Sequence, residues 1–314
     1  MKKYFWEIER PQTLISFLQE QRYFISPEAD GISNSKIRRL VISGSVKVNG
    51  RQCRIPSFML LPKSTLEVFV DEEKLMYEKQ PDDIQFELKQ EDVLFEDEWL
   101  IIVNKPAFFP VEKTMVQDRN NLHQTVIDFL YRRNPELRNP PYVGMMHRLD
   151  KETSGAILFT KKREINGAMH DLFECHKIKK TYRAVAFNKS KREIPDTFSV
   201  EGWMKRISPK SSACKMGMSK NQDDGLFSHT DFSLVKAQGN HVHLECTLQT
   251  GRTHQIRVHL SSVGLPLVGD ELYGGPEGFE ENNGRIMLHS KSLEFVHPMT
   301  GQTIRAESPL PPLF

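Results

Sequence analysis

The sequence predicts an α+β protein: a domain built on a mixed, largely antiparallel sheet flanked by helices, preceded by a small helix-and-hairpin module. The chain has 314 residues, which is enough for two domains at roughly 150 residues each. Many strand-like segments and a few helical ones follow one another in mixed order through residues 99–295, and this order favours the α+β class. A basic segment with hairpin turn chemistry comes before them.

The first seventy residues predict the small module. Ser35 can cap a short helix that ends at Gly44, because serine accepts hydrogen bonds from a first turn and glycine adopts the left-handed conformation after a last turn. Residues 44–50 read GSVKVNG, and Asn-Gly between strand-like segments is the strongest short hairpin signal. Apolar residues at 66, 68 and 70 predict a strand that closes the module, which we place at residues 1–70.

Charge is unevenly distributed, although the net charge is only +2 at pH 7. Residues 34–54 carry six basic and no acidic side chains, whereas residues 71–98 carry twelve acidic side chains and three lysines. This switch predicts an acidic linker at residues 71–90 and a second domain at residues 91–314. A basic helix and hairpin of one sign indicates RNA binding rather than an ordinary solvated surface. The candidate RNA contacts are Lys36, Arg38, Arg39, Lys47 and Arg51.

The second domain shows clear elements of both kinds. Apolar residues at 165, 168, 169, 172 and 173 recur at helical spacing and predict an amphipathic helix. Apolar runs at 156–159 and around 182–187 predict strands before and after it. Further along, Thr253 is predicted to cap a helix with residues 256, 260 and 263 facing inward, which ends at Gly264.

Composition excludes several classes of protein. The longest uninterrupted apolar run has five residues, 99–103, against the roughly 20 that a membrane-spanning helix needs. Glu7 and Glu9 stand where a signal peptide would be apolar, so we expect a cytoplasmic protein without a membrane partner. The four cysteines form no Cys-x-x-Cys pair, which indicates buried free thiols rather than a zinc site or disulfides. Histidines at 147, 254, 259 and 289 show no His-Glu-x-x-His pattern, so we expect them to form structural hydrogen bonds.

Two polar segments lie where loops meet regular structure. Residues 147–155 read HRLDKETSG, directly before the strand at 156–159, and residues 251–260 read GRTHQIRVHL. A buried strand entered from such a loop holds its side chains at a rigid edge, where preorganised sites are built. Shorter motifs are NKPA at 104–107, KTY at 180–182, VGD at 268–270, YG at 273–274 and LHS at 288–290.

Together these segments, which span about residues 92–308, resemble the RluA-type ribosomal large-subunit pseudouridine synthases. The resemblance implies the pseudouridine synthase fold for the second domain. The small basic module is similar to an RNA-binding module of a small-subunit ribosomal protein, which often accompanies this family. One departure follows NKPA, where residues 108–113 read FFPVEK instead of a glycine and an apolar stretch that ends in His-Pro.

The resemblance implies an enzyme that isomerises uridines in RNA, with large-subunit ribosomal RNA as the expected substrate and with no metal or redox cofactor. The bond from nitrogen to the sugar breaks, the base turns, and a carbon rejoins the sugar. The resemblance assigns the nucleophile to Asp150, its basic partner to Arg257 and the aromatic residue on the base to Tyr182. Arg148 is expected to fill the space of the flipped base, and Leu288 to close the apolar side of the pocket.

Several alternatives stay open on the sequence. Asp150 attacks the uracil ring, attacks the anomeric carbon, or assists formation of an eliminated glycal. A transfer-RNA pseudouridine synthase would share the chemistry, and a non-catalytic RNA-binding or ribosome-assembly factor would share the fold. Residues 161–192, with ten basic and three acidic side chains, predict that the large domain also contacts RNA. Members of this family commonly act as monomers, and we expect the same here.

Overall fold

The structure is a computed structural model that describes residues 2–22, 34–42, 44–70, 84–112, 120–208 and 214–314. The chain divides into two compact units, whose boundary falls after Asp83. Residues 84–112 and 120–314 form the larger unit. Most of the predicted acidic linker, residues 71–83, lies outside the described part of the chain.

The small unit combines two described helices with short antiparallel strands. Strand order in its main sheet is β1-β6-β3-β4, and β2 pairs with β5. The predicted helix, hairpin and closing strand are all present, whereas β1, which pairs along its whole length with β6, was not predicted. The elements are β1 (Lys2–Glu7), β2 (Gln12–Thr13), α1 (Leu14–Glu20), α2 (Asn34–Ile42), β3 (Val46–Val48), β4 (Arg51–Gln52), β5 (Met59–Leu60) and β6 (Thr65–Val70).

Turn chemistry and alternation explain this unit. Asn49 and Gly50 have φ of 50° and 74°, the two left-handed positions of a two-residue hairpin turn. The Asn49 side chain also accepts a hydrogen bond from the backbone N–H of Thr65 at 2.8 Å, which ties the turn to β6. Leu66 and Val68 of β6 are fully buried, because alternate residues of a strand face the same side.

The large unit is built on one extended sheet. The strands are β7 (Val93–Glu96), β8 (Leu100–Lys105), β9 (Gly144–Met145), β10 (Ser154–Thr160), β11 (Lys179–Phe187), β12 (Thr197–Arg206), β13 (Met216–Ser219), β14 (Leu226–Gln238), β15 (His241–Leu248), β16 (Leu288–Val296) and β17 (Thr303–Glu307). The α-helices are α3 (Leu122–Arg132), α4 (Asn166–Glu174) and α5 (Gln255–Ser262), and 3₁₀ turns span Gln90–Asp92, Arg163–Ile165, Gln222–Asp224, Glu271–Tyr273 and Glu280–Asn282.

The sheet is mixed and largely antiparallel, as predicted. Its order is β13-β12-β14-β15-β11-β16-β10-β8-β7, with β17 beside β16 and β9 beside β10. Among the described strands, the pairing of β10 with β16 is parallel and the others are antiparallel. This pairing aligns Ser154 with His289 and Gly155 with Ser290. Two distant motifs of the sequence therefore lie side by side in the middle of the sheet.

The predicted amphipathic helix is α4, and Ile165 and Met169 are fully buried on its inner side. The predicted strand at 156–159 is β10, in which every residue is buried. Gly155 allows β10 to approach β16 closely. Its φ is +111°, and a Cβ at this position would lie 2.1 Å from the Ser290 carbonyl oxygen. Only glycine fits this close approach.

Three predictions about local structure were wrong. Ser35 is not the N-cap of its helix, because α2 already begins at Asn34. Thr253 does not cap α5, since the N-cap position is His254 in the left-handed conformation with φ 56°. Other hydrogen bonds replace the expected cap here, because the Gln255 side chain accepts the backbone N–H of Arg252 at 2.9 Å and donates to the His229 carbonyl oxygen on β14 at 2.9 Å. The four cysteines are free as expected, but they are not all buried, since Cys175 is exposed on the outer side of the chain after α4.

The described residues include no helix with both the length and the apolar character needed to cross a membrane.

Candidate active site

One pocket of the large unit contains all five residues that the sequence assigned to the chemistry and to the bound base. They come from three places: the loop before β10, the middle of β11 and the start of α5, with β16 closing the remaining side. The five pocket residues are Arg148, Asp150, Tyr182, Arg257 and Leu288.

The loop that carries Asp150 is held in place by Lys105, the last residue of β8. The Lys105 side chain is fully buried, and its Nζ donates to the carbonyl oxygens of Pro106 at 2.9 Å, Phe109 at 2.8 Å and Lys151 at 2.9 Å. Three acceptors match the three N–H bonds of an ammonium group. The loop after β8 and the loop of Asp150 are thereby held together at the residue that follows Asp150.

Arg257 links Asp150 to a buried second carboxylate. Its Nη1 donates to Asp150 Oδ2 at 3.1 Å, while Nε and Nη2 donate to the two oxygens of Asp270 at 2.8 and 2.9 Å. Burial alone would lower the pKa of Arg257, but the carboxylates of Asp270 and Asp150 raise it above its ordinary value. The guanidinium is therefore a permanent charge in a fixed orientation, with one N–H directed at Asp150.

His254 approaches the same oxygen of Asp150 as Arg257 does. Its Nε2 lies 3.7 Å from Asp150 Oδ2, and its Nδ1 lies 2.8 Å from the hydroxyl of Tyr273. That hydroxyl also accepts the backbone N–H of Met216 at 2.9 Å, and it donates its own proton to His254 Nδ1 when the ring proton is on Nε2. Burial lowers the pKa of His254 more than the nearby Asp150 carboxylate raises it. The ring is therefore neutral near pH 7.

Tyr182 and Leu288 form the apolar part of the pocket. Both are largely buried, and they belong to the neighbouring strands β11 and β16. Burial raises the pKa of Tyr182 to about 12, although a hydrogen bond with the Ser290 side chain opposes this shift. The phenol consequently carries its proton at neutral pH. Its ring, rather than an ionised oxygen, is what Tyr182 offers to a bound molecule.

Arg148 lies at the mouth of the pocket and is exposed. Its guanidinium forms an ion pair with Glu112, which belongs to the segment that departs from the family pattern. Both side chains reach solvent, and exposed ion pairs contribute only about 0–1 kcal/mol. The pair can therefore open at little cost when another anion approaches Arg148.

The remaining histidines form structural hydrogen bonds, as predicted. His147 Nε2 accepts the backbone N–H of Leu158 at 3.0 Å, His259 Nε2 is 2.8 Å from the Ser228 hydroxyl, and His289 Nδ1 is 2.7 Å from the Ser154 hydroxyl. No group of three or more His, Cys, Asp or Glu side chains arranged to hold a metal ion occurs within the described ranges.

The predicted RNA contacts of the small unit lie on its helix and hairpin. Arg38 and Arg51 are exposed, and Lys47 Nζ lies 5.2 Å from the centre of the Phe69 ring. The side chains of Lys36 and Arg39 are outside the described part of the structure.

The basic segment at 161–192 carries less free charge than its sequence indicates. Lys161 pairs with Glu96 and Lys162 with Glu98, and Arg183 lies 3.4 Å from Glu245. These acidic partners belong to β7, to the turn after it and to β15. They lie outside residues 161–192, so the charge count over that segment did not include them. Lys161, Lys162 and Arg183 are therefore expected to contribute less to RNA binding than the other basic residues of this segment.

Sequence reasoning missed two residues of the site. Asp270 is 1 % exposed and holds Arg257, and Tyr273 holds His254. The available signal was the motif VGD at 268–270 with YG at 273–274, which had no assigned role. Gly269 is needed in it, because its φ is +82° and a Cβ would lie 2.2 Å from the Arg285 carbonyl oxygen.

Comparisons with known proteins identify the family of the chain. The profile of the family described as RNA pseudouridylate synthase matches residues 99–262. An uncharacterized RNA pseudouridine synthase of Synechocystis sp. is 33 % identical over 93 % of this chain and 85 % of its own length. Ribosomal large subunit pseudouridine synthase D of Xanthomonas campestris pv. campestris is 32 % identical, covering 89 % of this chain and 82 % of the relative.

Two further similarities extend the comparison. Ribosomal large subunit pseudouridine synthase C of Yersinia pestis is 30 % identical over 91 % of this chain and 87 % of its own. The solved structure of human RNA pseudouridylate synthase domain containing 4 superposes with a TM-score of 0.57 at 20 % identity, covering 71 % of this chain and 89 % of that one. At this identity the human structure supports the fold alone.

Proposed function

The chain belongs to the RluA-type family of RNA pseudouridine synthases, and on that premise we propose that it isomerises uridine in large-subunit ribosomal RNA with Asp150 as the nucleophile. The substrate is proposed by analogy with relatives of this chain, several of which are ribosomal large subunit pseudouridine synthases C or D. Those relatives align over about nine-tenths of this chain. At that coverage the aligned region extends beyond the large unit of the chain.

The observation that carries the assignment of Asp150 is its asymmetric environment. Arg257 and His254 both lie on the side of Oδ2, and among the described residues no hydrogen bond is donated to Oδ1. A carboxylate held by one oxygen presents the other in a fixed direction. Arg257 places a positive charge beside Oδ2, on the side away from the free oxygen.

The reaction conserves all atoms of the nucleoside. The bond between N1 of uracil and C1′ of ribose breaks, the base rotates, and a bond forms between C5 and C1′. The proton on C5 is then lost, and N1 gains one. Attack of Asp150 on C1′, attack on the ring and assisted glycal formation all require the uridine to leave its stack.

Tyr182 supplies the surface on which we propose that the base rests. A stacked aromatic ring contributes about 1–3 kcal/mol per base, which offsets the few kcal/mol needed to extrude a nucleotide. Because burial keeps the pKa of Tyr182 at about 12, its hydroxyl assists the loss of the C5 proton as a hydrogen-bonding relay and not as a phenolate base. Leu288 packs the apolar edge of the pocket.

Arg148 is proposed to occupy the space that the flipped uridine leaves. Its position at the pocket mouth and its weak exposed pairing with Glu112 support this role. A planar guanidinium stacks on neighbouring bases as well as pairing with phosphates. Movement of Arg148 from Glu112 into the RNA would thus accompany binding.

The small unit is proposed to bind the RNA. Arg38 and Arg51 are exposed, and Lys47 lies on the hairpin between them in sequence. Lys36 and Arg39 belong to the same proposal on the sequence alone. We further propose that the protein acts as a monomer in the cytoplasm, where ribosomal RNA is available.

Mapping pseudouridines tests this function. Total RNA from cells with and without the gene is compared at nucleotide resolution, and a plasmid copy restores the gene as a control. We expect a pseudouridine in large-subunit ribosomal RNA to disappear and then return. Loss of a site in transfer RNA would move the substrate to that class, and loss of no site in any RNA would favour a non-catalytic RNA-binding factor.

A further inference from the structure

Two basic residues, Lys180 and Arg252, belong to segments that form the Asp150 pocket, and Arg252 lines it directly. Lys180 stands opposite Leu248 and Tyr182 opposite Cys246 in the pairing of β11 with β15, so Lys180 and Tyr182 point to the same face of the sheet. Arg252 follows β15 and lines the pocket together with Leu248. Lys180 and Arg252 are thus neighbours on the side where the base is proposed to rest.

Lys180 is buried in a way that is costly for a cation. The side chain is only 7 % exposed, and within the described ranges its ammonium group forms no hydrogen bond or ion pair. Burial and the adjacent Arg252 charge both lower the pKa of Lys180. A Cβ on Gly251 would lie 3.1 Å from Lys180 Nζ, so glycine at 251 leaves room for the ammonium group against the backbone.

Arg252 is oriented but not neutralised. Its Nε donates to the Phe227 carbonyl oxygen at 2.9 Å, which fixes the plane of the guanidinium. No described residue accepts a hydrogen bond from its Nη atoms, and no described carboxylate pairs with it. The end of the side chain therefore keeps donors in a fork that suits two oxygens of one anion.

The two other arginines that line the pocket have acidic partners. Arg257 binds Asp150 and Asp270, and Arg148 binds Glu112. No described carboxylate pairs with Lys180 or Arg252, and the charge of Arg252 adds to burial in lowering the pKa of Lys180. Like charges repel each other, and an anion bound by both of them removes that repulsion.

We propose that Lys180 and Arg252 together bind one phosphodiester of the RNA strand, next to the uridine that enters the Asp150 pocket. This inference rests on the proposed function, because it takes the ligand to be RNA. Arg252 contacts two phosphate oxygens through its Nη atoms, and Lys180 adds a point charge from the buried side. The pair positions the strand so that the sugar of the flipped nucleotide faces Asp150.

Neutral phosphates in the RNA test the pair directly. A set of short RNAs that contain the target uridine is prepared. Each RNA has a single methylphosphonate, which lacks the phosphate charge, at a different linkage near that uridine. Binding of each RNA is measured for the unmodified protein, for Lys180→Gln and for the control Lys236→Gln, which removes an exposed charge near the far end of β14.

We expect one linkage at which the methylphosphonate weakens binding to the unmodified protein about tenfold, the equivalent of about 1.4 kcal/mol. Lys180→Gln should bind the native RNA about tenfold more weakly and respond less than about twofold to the same methylphosphonate. Lys236→Gln should behave as the unmodified protein does. In addition, the salt dependence of binding by Lys180→Gln should lose about 0.7 of log-log slope.

The proposal is overturned if Lys180→Gln responds to every methylphosphonate as strongly as the unmodified protein. If Lys180→Gln does not fold, the same comparison is made with Arg252→Gln at the same linkage. Lys180→Arg keeps the positive charge, so its binding should be weakened by that methylphosphonate as much as binding of the unmodified protein is. Formation of pseudouridine by the unmodified protein on native RNA is measured separately. If the unmodified protein forms no pseudouridine, the proposed function is contradicted. The binding comparison tests separately whether Lys180 and Arg252 bind a phosphate.

Discussion

Arg257 and Asp270 are joined by two parallel hydrogen bonds, from Nε at 2.8 Å and from Nη2 at 2.9 Å. Both side chains are almost completely buried. This two-point contact fixes the plane of the guanidinium, so that its third donor, Nη1, meets Asp150 Oδ2 at 3.1 Å. The direction of the proposed nucleophile therefore depends on a carboxylate that does not itself reach it.

Replacing Asp270 should impair the reaction without removing any group that touches RNA. Asp270→Asn keeps the size of the side chain but removes its charge, and loss of one partner of a buried pair costs about 3–5 kcal/mol of stability. A misplacement of about 1 Å at a reacting group lowers rates by roughly 100-fold. Single-turnover kinetics at saturating enzyme should show such a loss with RNA affinity retained.

The matched control is Asp171→Asn on the exposed side of α4, which should leave both stability and rate unchanged. A normal single-turnover rate for folded Asp270→Asn would show that Arg257 does not need this carboxylate.

The state of Tyr182 predicts how the reaction depends on pH. Burial raises the pKa of Tyr182 to about 12, so its hydroxyl stays protonated where an ordinary phenol, with a pKa of about 10, begins to ionise. The single-turnover rate should therefore not rise through a tyrosine ionisation between about pH 8 and pH 10. Release of tritium from C5 of labelled uridine follows the final proton loss.

Tyr182→Phe provides the companion measurement. It should keep RNA binding, since the ring remains, and slow tritium release by about 100-fold or more. Release at the full rate would exclude the hydroxyl from the proton transfer, and a rate that climbs tenfold per pH unit toward 10 would contradict its protonated state.

Buried histidines predict that the fold loses stability in mild acid. Burial lowers the pKa of His259 and of His289 to about 4, and of His147 to about 3. Below about pH 6.5 these histidines bind protons in the unfolded chain but stay neutral in the folded chain. The free energy of unfolding therefore falls as the pH drops toward 4. Each such group contributes a slope of up to about 1.4 kcal/mol per pH unit.

Urea denaturation between pH 7 and pH 5 checks this expectation. His259→Gln, which can keep a hydrogen bond to Ser228, should flatten the dependence by about one proton. Stability that stays constant or increases on acidification would show that these rings are protonated in the folded state.

The ion pair of Glu112 with Arg148 should restrain RNA binding slightly. Glu112→Gln frees the guanidinium and removes a negative charge from the pocket mouth, and because an exposed pair contributes at most about 1 kcal/mol, affinity should rise by no more than about fivefold. Fluorescence titration with the substrate RNA measures this change.

Glu136→Gln, another exposed position of the large unit, serves as the control with unchanged affinity. Weaker binding by Glu112→Gln would indicate that the glutamate instead holds Arg148 in its working position.

The sequence was sufficient for the parts of the site that lie in continuous motifs. Asp150 and Arg257 are 107 residues apart, yet each was identified because its own segment is distinctive. The strand pattern at 156–159 and the turn at Asn49 and Gly50 were also predicted, because they depend on neighbouring residues.

What the sequence did not provide depends on long-range partners. The pairing of Asp270 with Arg257, the left-handed conformation of His254 and the strand β1 all require contacts with distant elements. The same is true of charge. Lys161 and Lys162 looked available for RNA in a local count, but acidic residues near β7 neutralise them.

The replacement Asp150→Asn tests the central claim most directly. The variant keeps the shape of the side chain and lacks the carboxylate, and its pseudouridine formation and RNA affinity are measured on the same RNA. We expect no pseudouridine at enzyme excess over long incubation, together with RNA binding close to that of the unmodified protein. Measurable turnover by purified Asp150→Asn would contradict the assignment of Asp150 as the nucleophile.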